Sequence, residues 1–221
     1  MKRLNLSNIT VLLGVVVGLA FAGTASATLL GNPVSFPLLS FDNGGALAYD
    51  ATAHTFAVAA NPIALRATPG APPLFVTPVP GGNEFFLISI GVDGAGNLTG
   101  PTTGNLAVGG AIDLDGNGTI DVAGTLLTGD VTGFGFQENG ATDLYDFTFA
   151  VTGGQLQAAF GNTVTVSMQS ERSTFAGSFE GNFTGGAKGT LGVFVPEPTT
   201  LVLLGSGVTG LILAGRKRRE A

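Results

Sequence analysis

Apolar and polar residues alternate with a period of two along much of the chain, which is the pattern of half-buried β-strands. In the clearest run, Tyr145, Phe147 and Phe149 point to one side and the residues between them point to the other. Further stripes of this kind are Phe86, Ile88 and Ile90; Val164, Val166 and Met168; and Phe175, Phe179 and Phe183 with Gly177 and Gly181. No window shows a sustained 3.6-residue period, so the pattern predicts strands rather than helices.

Turn signals recur every 8–15 residues between these stripes. One lies at 93–97, and another around Asp50 joins strands at 46–49 and 55–59 into a hairpin, with His54 as a partly buried structural residue of the second strand. Six prolines within 61–83 indicate an extended surface loop or an edge segment. This spacing predicts an all-β fold, namely an antiparallel β-sandwich or a barrel-like domain.

Glycine occupies 36 of the 221 positions, more than twice its usual share of about 7%. Because glycine interrupts helices, this composition strengthens the prediction of a strand-rich fold. Residues 28–194 are long enough to bury a core and contain no second boundary, so we expect a single Gly-rich extracellular domain there.

Residues 1–27 are predicted to form a secretory signal peptide. A basic start precedes the apolar run 9–22, and Ala25 and Ala27 then fit the small-x-small rule for cleavage before Thr28. The alternative is an uncleaved membrane anchor, for which an apolar run of this length is short.

The C-terminal end, residues 195–221, combines three features. A proline-containing motif is followed by an apolar segment at 199–215 and a basic cluster at 216–219. The motif is Val195, Pro196, Glu197 and Pro198, and the cluster is Arg216, Lys217, Arg218 and Arg219. As a transmembrane helix, 17 residues span about 25 Å, slightly less than the bilayer core. The basic cluster should remain cytoplasmic and place the domain outside.

This order of motif, short apolar segment and basic end resembles the PEP-CTERM sorting signal of Gram-negative bacteria. The resemblance implies recognition by an exosortase, a membrane enzyme, after export across the inner membrane. It also implies a place at the cell surface or in the extracellular matrix, with a transient C-terminal anchor and a link to exopolysaccharide and biofilm. An ordinary C-terminal membrane anchor is the alternative, and it would give the same orientation.

Charge and composition exclude several functions. The chain carries a net charge of −6, and the bases are concentrated at its two ends, so a nucleic-acid partner is not expected. It contains no cysteine and one histidine, which removes thiolate catalysis and His-pair metal centres. We assign no catalytic residues. A pair of carboxylates could still hydrolyse glycosides, although the absence of tryptophan argues against a sugar-stacking cleft.

One acidic segment resembles the calcium loop of EF-hand and dockerin proteins. Its possible oxygen ligands are Asp113, Asp115, Asn117, the Thr119 carbonyl and Asp121. Gly124 replaces the usual carboxylate at the twelfth position. The alternative is a plain hairpin with a tight turn at 116–118, in which Ile112 pairs with Val122 and Leu114 pairs with Ile120. Calcium is therefore the one candidate cofactor.

Together these features predict an exported structural protein of the cell surface or the exopolysaccharide and biofilm matrix, processed through its C-terminal tail. An extracellular glycan-binding module is the second hypothesis, and a carboxylate-based polysaccharide hydrolase is the third. Binding to a defined sugar distinguishes the second hypothesis, and turnover of a polysaccharide distinguishes the third.

Overall fold

Ten β-strands account for most of residues 29–195, the part of the chain that the computed structural model describes. The strands are β1 Val34–Asp50, β2 Thr55–Arg66, β3 Leu74–Phe75, β4 Phe85–Val92, β5 Leu98–Thr99, β6 Leu106–Ile112, β7 Val122–Gln137, β8 Leu144–Gly153, β9 Thr163–Glu171 and β10 Phe183–Phe194. A 3₁₀ turn at Gly140–Thr142 and a short helix α1 at Gln157–Phe160 complete the described elements. The prediction of an all-β fold is confirmed.

The predicted signal peptide 1–27 and the predicted membrane segment 199–215 both lie outside the described residues. Within residues 29–195, no helix has the length and apolar character needed to cross a membrane.

The sheet closes on itself, so the barrel-like domain, and not the sandwich, is the predicted fold that the structure adopts. Its strand order is β3-β2-β1-β10-β9-β8-β7-β6-β4-β5, and an additional pairing of β2 with β4 joins the two sides. All pairings are antiparallel. Beyond the residues of β2 that pair with β4, β2 pairs with β3. Just after β3, Thr77 exchanges backbone hydrogen bonds of 2.9 and 2.8 Å with Ala111 of β6. β4, β3 and Thr77 thus fill the seam between β2 and β6.

The period-two stripes of the sequence face the interior of the closed sheet. Tyr145, Phe147 and Phe149 of β8 are fully buried, and Val164 and Val166 of β9 lie beside them. The predicted hairpin is also present, since β1 and β2 pair from 46 to 50 and from 55 to 59. Alternation predicted these strands correctly because each has one buried face and one more exposed face.

Aromatic rings fill the interior. The buried members are Phe41, Tyr49, Phe56, Phe86, Phe134, Phe136, Tyr145, Phe147, Phe149, Phe160, Phe175, Phe179 and Phe183. Phe41 stacks on Phe86 with ring centroids 4.0 Å apart, and Phe56 packs 5.1 Å from Tyr145. A barrel of eight strands leaves an interior just wide enough for side chains, and large rings occupy it here.

Two of these rings come from a loop, which corrects the sequence prediction. Phe175 and Phe179 were expected on a strand with Phe183, but residues 172–182 connect β9 and β10 without forming one. Their rings close one end of the barrel, where Phe179 lies 4.9 Å from Phe136 and 5.0 Å from Tyr49. A four-residue spacing of aromatics separated by small residues fits an inward stripe and an inward-folded loop equally well.

The two ends of the barrel differ in what they carry. Val34 at the start of β1 pairs with Phe194 at the end of β10, so the chain enters and leaves the barrel at one end. We call this the exit end; it includes the connections 67–84, 113–121 and 154–162. The far end carries the connections 51–54, 93–105, 138–143 and 172–182.

The segment before β1 lies on the outer wall of β8. The Gly31 backbone N–H donates to Asp146 Oδ2 at 3.3 Å, and the Asn32 side-chain amide donates to Thr148 Oγ1 at 3.0 Å. Burial raises the pKa of Asp146, and hydrogen bonds from Gly31 and Ser167 offset part of that rise. The residues that follow the predicted cleavage site are therefore part of the folded domain.

Substituting Phe179 by alanine should destabilise the domain strongly, because the ring is 1% exposed and closes the barrel. We expect a loss of about 3–5 kcal/mol in the free energy of unfolding, as for other buried phenylalanines. Phe75→Ala is the matched control, since the Phe75 side chain is 65% exposed. Urea unfolding of both variants measures the difference, and equal losses would contradict the closing role of Phe179.

Candidate functional site

The acidic segment forms an open loop between β6 and β7 at the exit end. Ile112 pairs with Val122, as the hairpin alternative predicted. The tight turn and the pairing of Leu114 with Ile120 are wrong, because residues 113–121 form no ladder and both side chains are exposed.

Asp113 organises this loop. Its Oδ1 atom accepts hydrogen bonds from the backbone N–H groups of Gly116 at 2.8 Å and Asn117 at 3.2 Å, and its Oδ2 atom accepts one from Gly118 at 2.6 Å. Gly116 and Gly118 have φ values of 74° and 88°, which lie in the left-handed region that glycine adopts without strain. The Asp113 carboxylate thus accepts its hydrogen bonds from within the loop. These bonds hold the loop in shape in place of backbone hydrogen bonds between two strands.

Three carboxylates converge in the loop. Oxygen atoms of Asp113, Asp115 and Asp121 all lie within 4.8 Å of one another. Asp121 Oδ2 accepts hydrogen bonds from the backbone N–H groups of Leu114 at 2.7 Å and Asp115 at 3.3 Å. Backbone N–H groups thus offset part of the repulsion between the like charges. Oxygen ligands at this spacing suit a hard divalent cation such as calcium.

The remaining predicted ligands are engaged differently. The Asn117 side chain donates to Asp115 Oδ2 at 2.8 Å, and its own oxygen accepts the Thr119 N–H at 2.8 Å. Gly124, at the twelfth position, lies within β7 and offers no side-chain ligand. Of the five predicted ligand groups, the three carboxylates therefore converge in the structure.

The pKa of Asp113 is held low by the loop. Partial desolvation would raise the pKa of its carboxyl, but the hydrogen bonds from Gly118 and Gly116 outweigh that effect and hold the pKa below its usual range. Asp113 is therefore ionised at neutral pH, as ligation of a cation requires.

A groove at the far end was not predicted from the sequence. It encloses about 350 Å³ and is lined by hydroxyl and amide groups from three separate segments. The polar side chains that line it are His54, Thr55, Ser89, Thr99, Thr103 and Asn105. No local motif joins these residues, since only the closure of the sheet brings β2, β4 and the following loop together.

His54 corrects a further expectation. It lies in the exposed turn after β1, with φ at 52°, and not on a strand. Asp50 Oδ1 accepts the N–H groups of Thr52 and Ala53 at 2.8 and 3.0 Å and so forms the turn. The His54 ring approaches the Tyr49 hydroxyl at 3.5 Å, while that hydroxyl donates to the Val92 carbonyl at 2.8 Å. The histidine is thus at the rim of the groove, accessible to solvent.

Buried polar groups lie beneath the far end. Asp143 and Ser170 are fully buried, and within residues 29–195 no direct hydrogen-bond partner exists for Asp143 Oδ2 or Ser170 Oγ. The other Asp143 oxygen accepts the Asn139 N–H at 2.8 Å. Burial, with the charge of Asp143 as a second cause, raises the pKa of Tyr145. These groups are closed off from solvent and cannot meet a polymeric substrate.

Comparison with known proteins identifies the C-terminal end. Residues 194–219 match the PEP-CTERM protein-sorting motif, which confirms the resemblance noted in the sequence. No significant match exists among curated proteins or among solved structures. A chain with this motif is an exported protein that is sorted through the membrane by an exosortase. This chain joins such a sorting motif to an antiparallel closed sheet.

The sorting motif predicts a change in mass on export. If exosortase cleaves near 196–198, the mature surface protein lacks the basic cluster 216–219, while its N-terminus begins at Thr28. Intact-mass analysis of the exported protein measures both ends. A mature form that still ends at Ala221 would show that the tail acts as a plain anchor.

Proposed function

We propose that this chain is a non-catalytic structural protein of the cell surface or exopolysaccharide matrix of a Gram-negative bacterium, delivered by exosortase sorting. The closed, aromatic-filled barrel is the observation that carries this proposal. Rings fill the interior, and the loop with Phe175 and Phe179 covers its far end. A rigid unit of this kind suits a permanent component of a matrix. The buried position of Asp143, away from solvent, also supports a role other than catalysis.

A sedimentation experiment tests this role. Exopolysaccharide from the producing cells should carry the exported protein down while the polymer keeps its length. Cells without exosortase should retain the protein in the membrane fraction, and their matrix should lack it. Shortening of the polymer that disappears on one Asp or Glu substitution would instead identify a hydrolase.

The far-end groove favours one alternative, a glycan-binding module. Its volume of about 350 Å³ lies within the range of small-molecule sites, and Ser89, Thr99 and Thr103 offer hydroxyl groups for hydrogen bonds to sugars. A glycan array distinguishes the two roles. Saturable binding to one sugar, lost in Ser89→Ala with Thr103→Val and kept in Thr190→Val, would favour the module; Thr190 lies outside the groove.

We further propose that calcium binds the loop 113–121. The support is the approach of three carboxylates within 4.8 Å and the ionised state of Asp113. Asp113, Asp115 and Asp121 would supply the ligands, and water would complete the coordination that Gly124 cannot. The missing carboxylate at the twelfth position implies a weak site, with a dissociation constant on the order of 10⁻⁴–10⁻³ M.

Calcium should therefore raise the melting temperature of the exported protein. At about 5 mM free calcium, binding of this strength adds about 1–2 kcal/mol to the free energy of unfolding, which corresponds to a few degrees. Asp113→Ala combined with Asp121→Ala should remove the rise. Asp93→Ala is the matched control, because Asp93 also accepts N–H groups, from Asn97 at 2.8 Å and Ala95 at 3.0 Å, but lies at the far end.

The Asp93 variant should melt earlier than the wild type and still respond to calcium. Equal melting temperatures of the wild type in calcium and in chelator would leave the loop without a metal role. Scanning calorimetry of the three proteins provides the measurement.

A further inference from the structure

Exposed apolar side chains are concentrated at the exit end of the barrel. Among residues 29–195, the large apolar residues that remain exposed are Leu30, Ile63, Phe75, Leu87, Leu114, Ile120 and Val195. Five of these seven lie at the exit end, and none belongs to the far-end connections. Scattered single apolar residues are normal on a surface, but a bias toward one end makes that end a candidate contact surface.

Backbone pairing connects the segment of Phe75 to the strand that leads into the acidic loop. Phe75 precedes Thr77 by two residues, and Thr77 is hydrogen-bonded to Ala111 in β6. Leu114 follows Ala111 by three residues, at the start of the acidic loop. Phe75 is 65% exposed although phenylalanine is usually buried, so its position is costly unless something covers it.

The length of the chain beyond the barrel determines what faces this end. The predicted membrane segment begins at Thr199, four residues after Val195, and four residues extend at most about 14 Å. Since the headgroup layer is itself about 5–7 Å thick, an anchored barrel must hold its exit end at the bilayer surface.

We propose that the exit end of the barrel lies on the lipid bilayer while the C-terminal segment anchors the chain, with Phe75, Leu114 and Ile120 inserted among the headgroups. The proposal rests on the anchored stage of the sorting pathway. It adds a lipid-facing surface on the folded domain, which the sorting motif by itself does not require. Aromatic side chains at the interface are a common means of resting a protein on a membrane.

Charge at this end favours a zwitterionic surface over an anionic one. The acidic loop contributes three carboxylates and Glu84 before β4 contributes a fourth, whereas Arg66 at the end of β2 contributes one cation. Anionic headgroups would therefore be repelled by the loop. Apolar insertion, rather than attraction between charges, is expected to hold the exit end in place.

Tryptophan fluorescence tests the proposal directly, because the chain contains no tryptophan of its own. The chain that retains its tail is placed in phosphatidylcholine vesicles with brominated acyl chains, which quench a nearby indole. Phe75→Trp should be quenched relative to unbrominated vesicles. Thr52→Trp, at the exposed far-end turn, is the matched control and should keep its emission. Replacing part of the lipid by phosphatidylglycerol should weaken the quenching of Phe75→Trp.

A second probe, Ile120→Trp, guards against a local folding defect at position 75. Its quenching should follow that of Phe75→Trp, and thermal melts establish that each variant is folded.

Vesicle flotation distinguishes failure of the proposed lipid contact from failure of the membrane anchor. Floating protein with no quenching at either position would overturn the proposal and leave the sorting pathway intact. Protein that does not float would show that the tail does not anchor the chain, and it would overturn the proposal as well. Emission that depends on protein concentration and not on bromine would identify a second copy of the chain as the occupant and would also overturn it.

Discussion

Closure of the sheet is the constraint on which the rest of the structure depends. β2 must pair with β1 on one side and with both β3 and β4 on the other, and the hydrogen bonds between Thr77 and Ala111 complete the seam. A closed sheet has no free edge, which removes a route to aggregation for an exported protein. Closure also creates an interior that only side chains can fill. The aromatic residues are therefore a requirement of the architecture, and the loop that closes the far end extends the same packing.

The abundance of glycine follows from the same packing. Phe41 lies directly across from Gly189, and a methyl group placed on that glycine would come within 2.8 Å of Phe41 Cζ. On the outer wall Phe85 faces Gly109 in the same way. Large rings covering glycines on neighbouring strands give close packing without overfilling the space. The high glycine content and the high phenylalanine content therefore both follow from this packing of rings over glycines.

The sequence predicted those features that a local pattern determines. Alternation identified β8 and β9 because their buried and exposed faces differ along consecutive residues. It failed at 172–182, where the chain is buried at Phe175 and Phe179 without any strand partner, since periodicity reports burial and not hydrogen bonding. The spacing of Asp113, Asp115 and Asp121 predicted their convergence. The far-end groove could not be found, because its residues meet only through the closure of the sheet.

The direction of the strands gives the molecule a polarity that matters for its passage through the membrane. Because β10 ends beside the start of β1, the C-terminal segment leaves from the exit end, whereas the segment before β1 turns back along the outer wall of β8. Attachment through the C-terminal segment would hold the exit end at the membrane and present the far end, with its polar groove, to the outside. Removal of the tail would release this constraint without altering the far end. If the exit end rests on lipid as proposed, the acidic loop and Phe75 would then become accessible from outside the membrane. Under that proposal, processing of the tail would change what the folded domain can contact.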